Sequence, residues 1–424
     1  MSNIILSSNE NSALLQTLNQ SESKVIPSIY STKEIYAPSS TSWYTITPKT
    51  GSATDGQSES WDLPKYGILQ SIVLSYTKSV GFSTTNAATV QFPDGDIFNV
   101  IDRVEYLSSS RILFTLYSED IMAQLKDAST DEYSTVRETA VSAKPTATAT
   151  SPAVAEYSIP IVFPFFGNKN TCPNLSFSEP TQVRIVYRNT GGYVPSVDAD
   201  ITNVTAATIT SNLMLRYKMY SEADNAQLLS ENYNDEMLNM LVNRNYRENP
   251  VSITQADGSA QIDNHVFTME LKNVDVINNY YFMVRGPSAK TAIQNELLEI
   301  KSVKLMASGQ ELCSLTANQL LYMKLSENGW PVNSSYLASA LNDVIKINRV
   351  AKIQTGLWSW DKDAFTNGWS QREMNNVVAE IVCTIPAAAA GAGAKKYTCY
   401  CQELTSCILS QSSNTGRNQI SLAN

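Results

Sequence analysis

Histidine is nearly missing, since His265 is the one imidazole in 424 residues. Ser-His-Asp and Cys-His pairs and zinc-histidine clusters would all rest on that single side chain. It stands at the start of a predicted strand, where a structural or surface role is expected. Basic runs are short too. No Lys/Arg cluster exceeds Lys395-Lys396, and 31 Lys and Arg against 40 Asp and Glu leave a net charge of −9. The surface that would neutralise phosphates is absent, so direct nucleic-acid binding is not expected. Residues 1–23 hold no Lys or Arg, and the run Ile4-Ile5-Leu6 is too short for a signal segment or a membrane span. Synthesis in a cytosol is the expectation.

Charge of either sign is scarce, at 17% of residues, below the usual ~25%. The surface must then be largely Ser, Thr, Asn and Gln, which neighbouring subunits can cover at little desolvation cost. Six cysteines, Cys172, Cys313, Cys383, Cys399, Cys401 and Cys407, are too few for a disulfide framework in a chain this long, and suit buried thiols. Cys399, Cys401 and Cys407 could hold a soft metal, but a strand sends Cys399 and Cys401 to one face and Tyr400 to the other, with no fourth ligand nearby. Asp94/Asp96 and Asp361/Asp363 lie in turn-like segments without the full register of a calcium loop. There is no Gly-x4-Gly-Lys phosphate loop, and Gly391-Ala392-Gly393 sits in an alanine run. Asn19, Asn174, Asn203 and Asn333 begin Asn-x-Ser/Thr triplets that are expected to be bare. No catalytic, cofactor-binding or metal-ligating residue is expected.

What is present is β pattern. Short segments rich in Ile, Val, Tyr and Thr, such as Ile68 to Thr77, Val100 to Leu107, Tyr157 to Phe166, Gln182 to Tyr187 and Leu213 to Tyr220, alternate with Gly, Asn, Asp, Ser and Pro clusters. They resume with His265 to Leu271, Tyr280 to Val284, Ile300 to Met306, Gln354 to Trp360, Glu380 to Ile385 and Lys396 to Leu409. Arg137 to Ala155 and Ala387 to Ala394 read as exposed loops. Between the halves, Ser221 with Asp224 can cap a helix through Leu228, Leu229, Tyr233, Met237, Leu238 and Leu241. Length favours two domains. The expected division is an arm at 1–45, a first domain at 46–220, a linker helix region at 221–250 and a second domain at 251–424.

Shifting the chain by 199 residues lays one half on the other. Ile101 then meets Ile300, Val104 meets Val303, Tyr106 meets Leu305, Leu113 meets Leu312 and Leu116 meets Leu315. The turn Ser108-Ser109-Ser110 falls on Ala307-Ser308-Gly309. At the same shift Tyr157 to Ile161 falls on Gly356 to Trp360, and Gln182 to Tyr187 on Ile381 to Pro386.

Five segments, in this order, resemble the double jelly-roll major capsid proteins of tectivirus-like, adenovirus-like and large eukaryotic DNA viruses. Leu63-Pro64-Lys65-Tyr66-Gly67-Ile68-Leu69 resembles the lead into the second strand of the first jelly roll, and Val100 to Leu113 the strand, turn and strand after it. Tyr157-Ser158-Ile159-Pro160-Ile161-Val162-Phe163-Pro164-Phe165-Phe166 is similar to the (I/V)-P-(L/I)-x-F-x-F strand of the large-virus members. Ser178 to Ile185 resembles the strand that follows, and Met214 to Tyr220 the crossing between jelly rolls. The pattern covers most of residues 60–410. It departs where Cys172-Pro173-Asn174-Leu175 replaces the family's Leu-Ala-Leu-Pro-Leu run.

The resemblance implies an all-β chain of two tandem eight-stranded jelly-roll sandwiches with a short linking helix, forming homotrimeric, pseudo-hexagonal capsomers of an icosahedral DNA-virus capsid. Two sandwiches in each of three subunits give six near-equivalent edges, which suit a closed ring. Implied partners are neighbouring capsomers, penton and minor capsid proteins and, in members that have one, an internal membrane; the location would be the virion. Two other readings of the residues stay open. One is a β-sandwich carbohydrate-binding or adhesive, spike-like protein, with Trp358, Trp360, Trp369 and Tyr397 as a sugar platform, against which a buried sandwich face is the plainer reading. The other is a β-sandwich hydrolase with dispersed carboxylates.

Overall fold

The structure, a computed structural model, describes residues 39–51, 53, 56–64, 68–80, 90–91, 100–121, 146–147, 153–163, 180–188, 208–223, 237–273, 276–287, 294–320, 323, 350–355, 369–370, 374, 376–388, 390–391, 393–412 and 418–422. In chain order the first half holds β1 (Ser39–Ile46), β2 (Thr50–Gly51), β3 (Ser58–Asp62), β4 (Ile68–Val80), β5 (Val90–Gln91), β6 (Ile101–Ser108), β7 (Arg111–Tyr117), β8 (Thr146–Ala147), β9 (Ala153–Ile161), β10 (Thr181–Tyr187) and β11 (Thr208–Tyr220). The second half holds β12 (Met237–Arg247), β13 (Val251–Gln255), β14 (Ile262–Leu271), β15 (Val276–Pro287), β16 (Gln294–Leu297), β17 (Ile300–Ala307), β18 (Gln310–Thr316), β19 (Ala351–Gln354), β20 (Trp369–Ser370), β21 (Val377–Ile385), β22 (Lys395–Ser412) and β23 (Asn418–Leu422).

Every pairing among the described strands is antiparallel. One sheet of the first half runs β1-β11-β4-β9 and the other β2-β3-β10-β6-β7. In the second half β12, β22 and β15 follow in order, with β16, β19 and β20 side by side on β15, while the facing sheet runs β14-β21-β17-β18. If the principal strands of each half are counted in sequence, both halves read first-eighth-third-sixth in one sheet and second-seventh-fourth-fifth in the other. That order is the jelly roll, in which two sheets interleave through Greek-key connections. The chain is a double jelly roll.

Strict alternation builds each core. Along β10, Thr181, Val183, Ile185 and Tyr187 point inward, and β21 repeats the rule with Val377, Ala379, Ile381, Cys383 and Ile385. Successive side chains of a strand face opposite ways, so one register slip would expose the whole inner set. Tyr106 of one first-half sheet meets the ring of Phe163, beyond the end of β9 in the other sheet, edge-on at 5.5 Å. The second core joins Phe267, Tyr280, Phe282, Ile300, Val303, Leu305 and Ile381 with Tyr397, Cys399 and Cys401. Gly286 of β15 is buried there, and a Cβ at that position would stand 2.0 Å from the Tyr397 ring.

The 199-residue repeat is visible in the backbone. β6 and β17 both carry a bulge, at Asp102 and Lys301. The hairpins that follow turn through consecutive positive φ angles, 43° and 72° at Ser109 and Ser110 and 48° and 79° at Ser308 and Gly309, the primed geometry that matches strand twist. β7 and β18 carry bulges at Leu113 and Leu312. Each then enters a helical turn closed by a side chain on the strand's last N–H, from Tyr117 to Asp120 Oδ2 at 2.8 Å and from Thr316 to Gln319 Oε1 at 2.9 Å. The shift changes at the seventh strand. Val104 faces Ile185 and Val303 faces Ile381, so this strand repeats at 196 residues and the expected overlay of Gln182 to Tyr187 on Ile381 to Pro386 is out by three.

Several other expectations are corrected. Met237, Leu238 and Leu241 belong to β12, not to the linker helix; among the described residues of 221–236 only Glu222 and Ala223 are helical. The long β22 offers an open edge from Gln402 to Ser412, and ladder pairing along it outweighs a helical spacing. Ser39 to Thr45, expected in the arm, form most of β1, which pairs residue for residue with β11. The loop expected from Arg137 to Ala155 gives way to strand at Thr146–Ala147 and from Ala153 onward. Leu63 to Leu69 leads into β4, the third principal strand. Tyr157 to Ile161 is strand, as expected, and proves to be the sixth principal one; its counterpart is Ala351–Gln354, and residues 356–360 lie outside the described ones.

Candidate assembly interface

Where the two jelly rolls meet, β7 touches β12 and β23. The helical turn after β7, residues 118–121, carries Glu119 into this seam with its side chain fully buried. Arg188, one residue past β10, donates to Glu119 Oε1 at 2.6 Å and to Ser118 Oγ at 2.5 Å. From the second jelly roll, Arg285 of β15 donates to the same Oε1 at 2.5 Å and is 1% exposed. Arg247, the last residue of β12, stands 3.7 Å from Glu119 Oε2. Its guanidinium lies over the Tyr117 ring at 4.5 Å and the Tyr400 ring at 4.4 Å, one ring from each domain, where a desolvated cation–π contact is worth about 2 kcal/mol.

Burial alone would raise the Glu119 pKa, but Arg188, Arg285 and Arg247 together hold it well below the ordinary carboxylate range. Asp120 differs. Burial and the Glu119 charge push it up to about 7, against the Tyr117 N–H, Asn245 and Arg247, which favour its anion. At neutral pH the seam holds three guanidiniums, one firm carboxylate and one carboxyl in mid-titration. It is a lock between domains: Glu119 pairs with Arg188 on its own side, while Arg285 and Arg247 of the second jelly roll have their counter-charge in the first.

Residues weighed for chemistry are scattered. His265 is half-buried, edge-on to Phe267 at 4.6 Å, with its pKa lowered by burial. Cys399 and Cys401 face the second core while Tyr400 faces the other side, as strand parity requires. Burial raises both thiols well above their ordinary pKa, and Cys383 is pushed up to about 12. Tyr397 is wholly buried, so it cannot serve as a sugar platform. Trp358, Trp360, Asp94, Asp96, Asp361, Asp363, Cys172 and the four Asn-x-Ser/Thr sites lie outside the described residues, as do the side chains of Trp369 and Cys407. Among the described residues no set of His, Cys, Asp and Glu gathers as metal ligands would, and no helix is long and apolar enough to cross a membrane.

Sequence reasoning missed the seam. Glu119, Arg188, Arg247 and Arg285 are far apart in the chain; the one local hint is Glu119-Asp120 directly after an apolar strand.

No protein-family model matches the chain, and no curated protein matches its sequence. Solved structures do match along nearly the whole length. The capsid of the virus PBCV-1 has a chain 11% identical, with a TM-score of 0.60, covering 92% of this chain and 99% of that one. The Faustovirus major capsid protein is 8% identical with a TM-score of 0.55, over 94% of this chain and 97% of that one. The mavirus major capsid protein is 11% identical with a TM-score of 0.51, over 95% of this chain and 92% of that one. At such identities the likeness is one of fold: both jelly rolls, and their arrangement in one chain, are shared.

Proposed function

We propose that this chain is a major capsid protein that acts by assembling with copies of itself into an icosahedral virus shell, and that it catalyses no reaction. The observation that carries the reading is the duplicated jelly roll clamped by the Glu119 seam into one unit with repeated edges. Repeated edges held at a fixed angle are what a closed ring requires. Whole-length likeness to chains described as capsid or major capsid proteins supports it. So does the charge-poor composition, which allows wide polar contacts. The capsomer is a homotrimer of pseudo-hexagonal outline. Its partners are neighbouring capsomers, penton and minor capsid proteins and, if the virus has one, an internal membrane. Its place is the virion, after synthesis in the host cytoplasm.

Sedimentation of the purified protein tests this. Three copies of 46.7 kDa, a species of about 140 kDa that resists dilution, is the expected result. A stable monomer that binds sugars would overturn it in favour of an adhesive module.

A further inference from the structure

Arg247 is the least engaged of the three guanidiniums in the seam. The Tyr117 ring at 4.5 Å and the Tyr400 ring at 4.4 Å hold it in place, and such contacts use the charge without using the N–H groups. Its Nε is buried without an acceptor, and Glu119 Oε2 stands 3.7 Å away, beyond hydrogen-bond reach. Arg188, by contrast, donates to Ile101 O, Ser118 Oγ and Glu119 Oε1.

Gln402 repeats the pattern. It is the ladder partner of Arg247, so the two side chains leave the same face of the sheet side by side. It is 1% exposed, and both atoms of its amide are buried without a partner among the described residues. Two neighbouring side chains thus keep buried donors unused, which is costly unless something else accepts from them.

Charge indicates what that is. Arg188, Arg247 and Arg285 bring three positive charges, Glu119 returns one, and Asp120 returns one more only when ionised, so the surplus is two or one. Nearby acids are engaged elsewhere. Glu403 shares the opposite face of β22 with Cys401 and accepts from Asn273 Nδ2 at 2.7 Å, Glu248 accepts the backbone N–H groups of Lys272 and Asn273, and Asp102 pairs with Arg103. Burial, and after it the Arg188 charge, lower the pKa of Arg285, the sign that a positive surplus gives. Arg188 and Arg247 keep 14% and 16% of their side-chain surface open, so an ion can reach them.

We infer that the seam binds a small tetrahedral oxyanion of the phosphate and sulfate class, with Arg247 as its principal ligand, Gln402 beside it and Arg188 supplying charge from the first jelly roll. A planar guanidinium fork matches two oxygens of such an anion. The ion takes up the unused donors and the charge surplus, and it ties one jelly roll to the other. The site lies within a single chain, so it does not depend on the capsomer reading. Asp120 is the competing counter-charge. Around it stand the Tyr117 N–H, Glu119, Asn245 and Arg247, with Arg188 and Arg285 on the far side of Glu119 and Cys401 on β22. When Asp120 ionises it fills part of the surplus, so the anion binds more tightly at lower pH.

Isothermal titration calorimetry of the full-length chain with sodium sulfate at constant ionic strength tests the site. One sulfate per chain is expected, bound several-fold more tightly at about pH 6 than at about pH 8, with that difference lost in Asp120→Asn. Arg247→Met is expected to weaken binding roughly 10-fold or more. Gln402→Leu, which leaves every guanidinium in place, is expected to weaken it by a smaller factor. Circular dichroism confirms folding, and if Arg247→Met does not fold, Gln402→Leu and the pH series decide. No saturable binding up to roughly 20 mM sulfate, an affinity independent of pH, or a site that neither variant affects would each overturn the inference and leave the capsomer reading standing.

Discussion

Replacing Glu119 by Gln keeps the shape of the seam and removes the negative charge on which three guanidiniums converge. Arg285 matters most, because it is 1% exposed and loses its counter-charge where water cannot compensate. Removing one partner of a buried pair costs about 3–5 kcal/mol, most of it the desolvation of the charge left behind. For a domain of ~200 residues each kcal/mol lowers Tm by about 2–4 °C, so a fall of roughly 6–20 °C is expected. Urea is the denaturant to use, since guanidinium would screen the effect being measured. Because Arg285 and Arg247 come from the second jelly roll and Glu119 from the first, the loss falls on the coupling between domains. The variant should therefore unfold in two steps where wild type unfolds in one. Adding Arg285→Met removes the stranded charge and should restore about half the loss or more, since apolar replacement of a buried pair is often close to neutral. A Glu119→Gln cost under about 1 kcal/mol, or a double variant no more stable than the single, would refute the account of the seam as an electrostatic lock.

Asp120 gives the seam a pH dependence of defined sign. Burial and the Glu119 charge raise its folded pKa to about 7, above the ordinary Asp range, so folding favours the protonated form and stability falls as pH rises from about 4 to 7. Glu119 is shifted the other way, and its contribution is lost as pH falls below the ordinary Glu range. Wild type should thus be most stable at mildly acidic pH, losing about 2–3 kcal/mol between pH 5 and pH 7. Asp120→Asn should flatten that slope in urea titrations at the two pH values; an unchanged slope would assign it to another group. Gly286→Ala drives a Cβ into the Tyr397 ring and should cost about 1–3 kcal/mol or more by overpacking. A urea midpoint within error of wild type would show that the ring can move aside.

Much of the fold could be read from residues alone, because it depends on local rules. Alternation along β10 and β21 marks the buried face of a strand whatever surrounds it. The paired hairpins at Ser109-Ser110 and Ser308-Gly309 announce the duplication, since each is a short unit whose turn residues fix its geometry. Where the reading failed, two local structures were compatible with the same residues. Met237 to Leu241 have an apolar spacing that fits a helix, and only the open edge of β22 makes them a strand. Ser39 to Thr45 are polar enough for an arm, and only β11 beside them makes them an edge.

Composition and period are properties of the chain, so the all-β class, the repeat and the scarcity of histidine were legible without coordinates. Tertiary structure alone decided the seam and the asymmetry of the two edges. An ion cluster built from Glu119, Arg188, Arg247 and Arg285 has no spacing to recognise, because distance through space is set by how the sheets pack. Covering β7 while leaving Leu312 of β18 bare likewise follows from which jelly roll comes next in the chain.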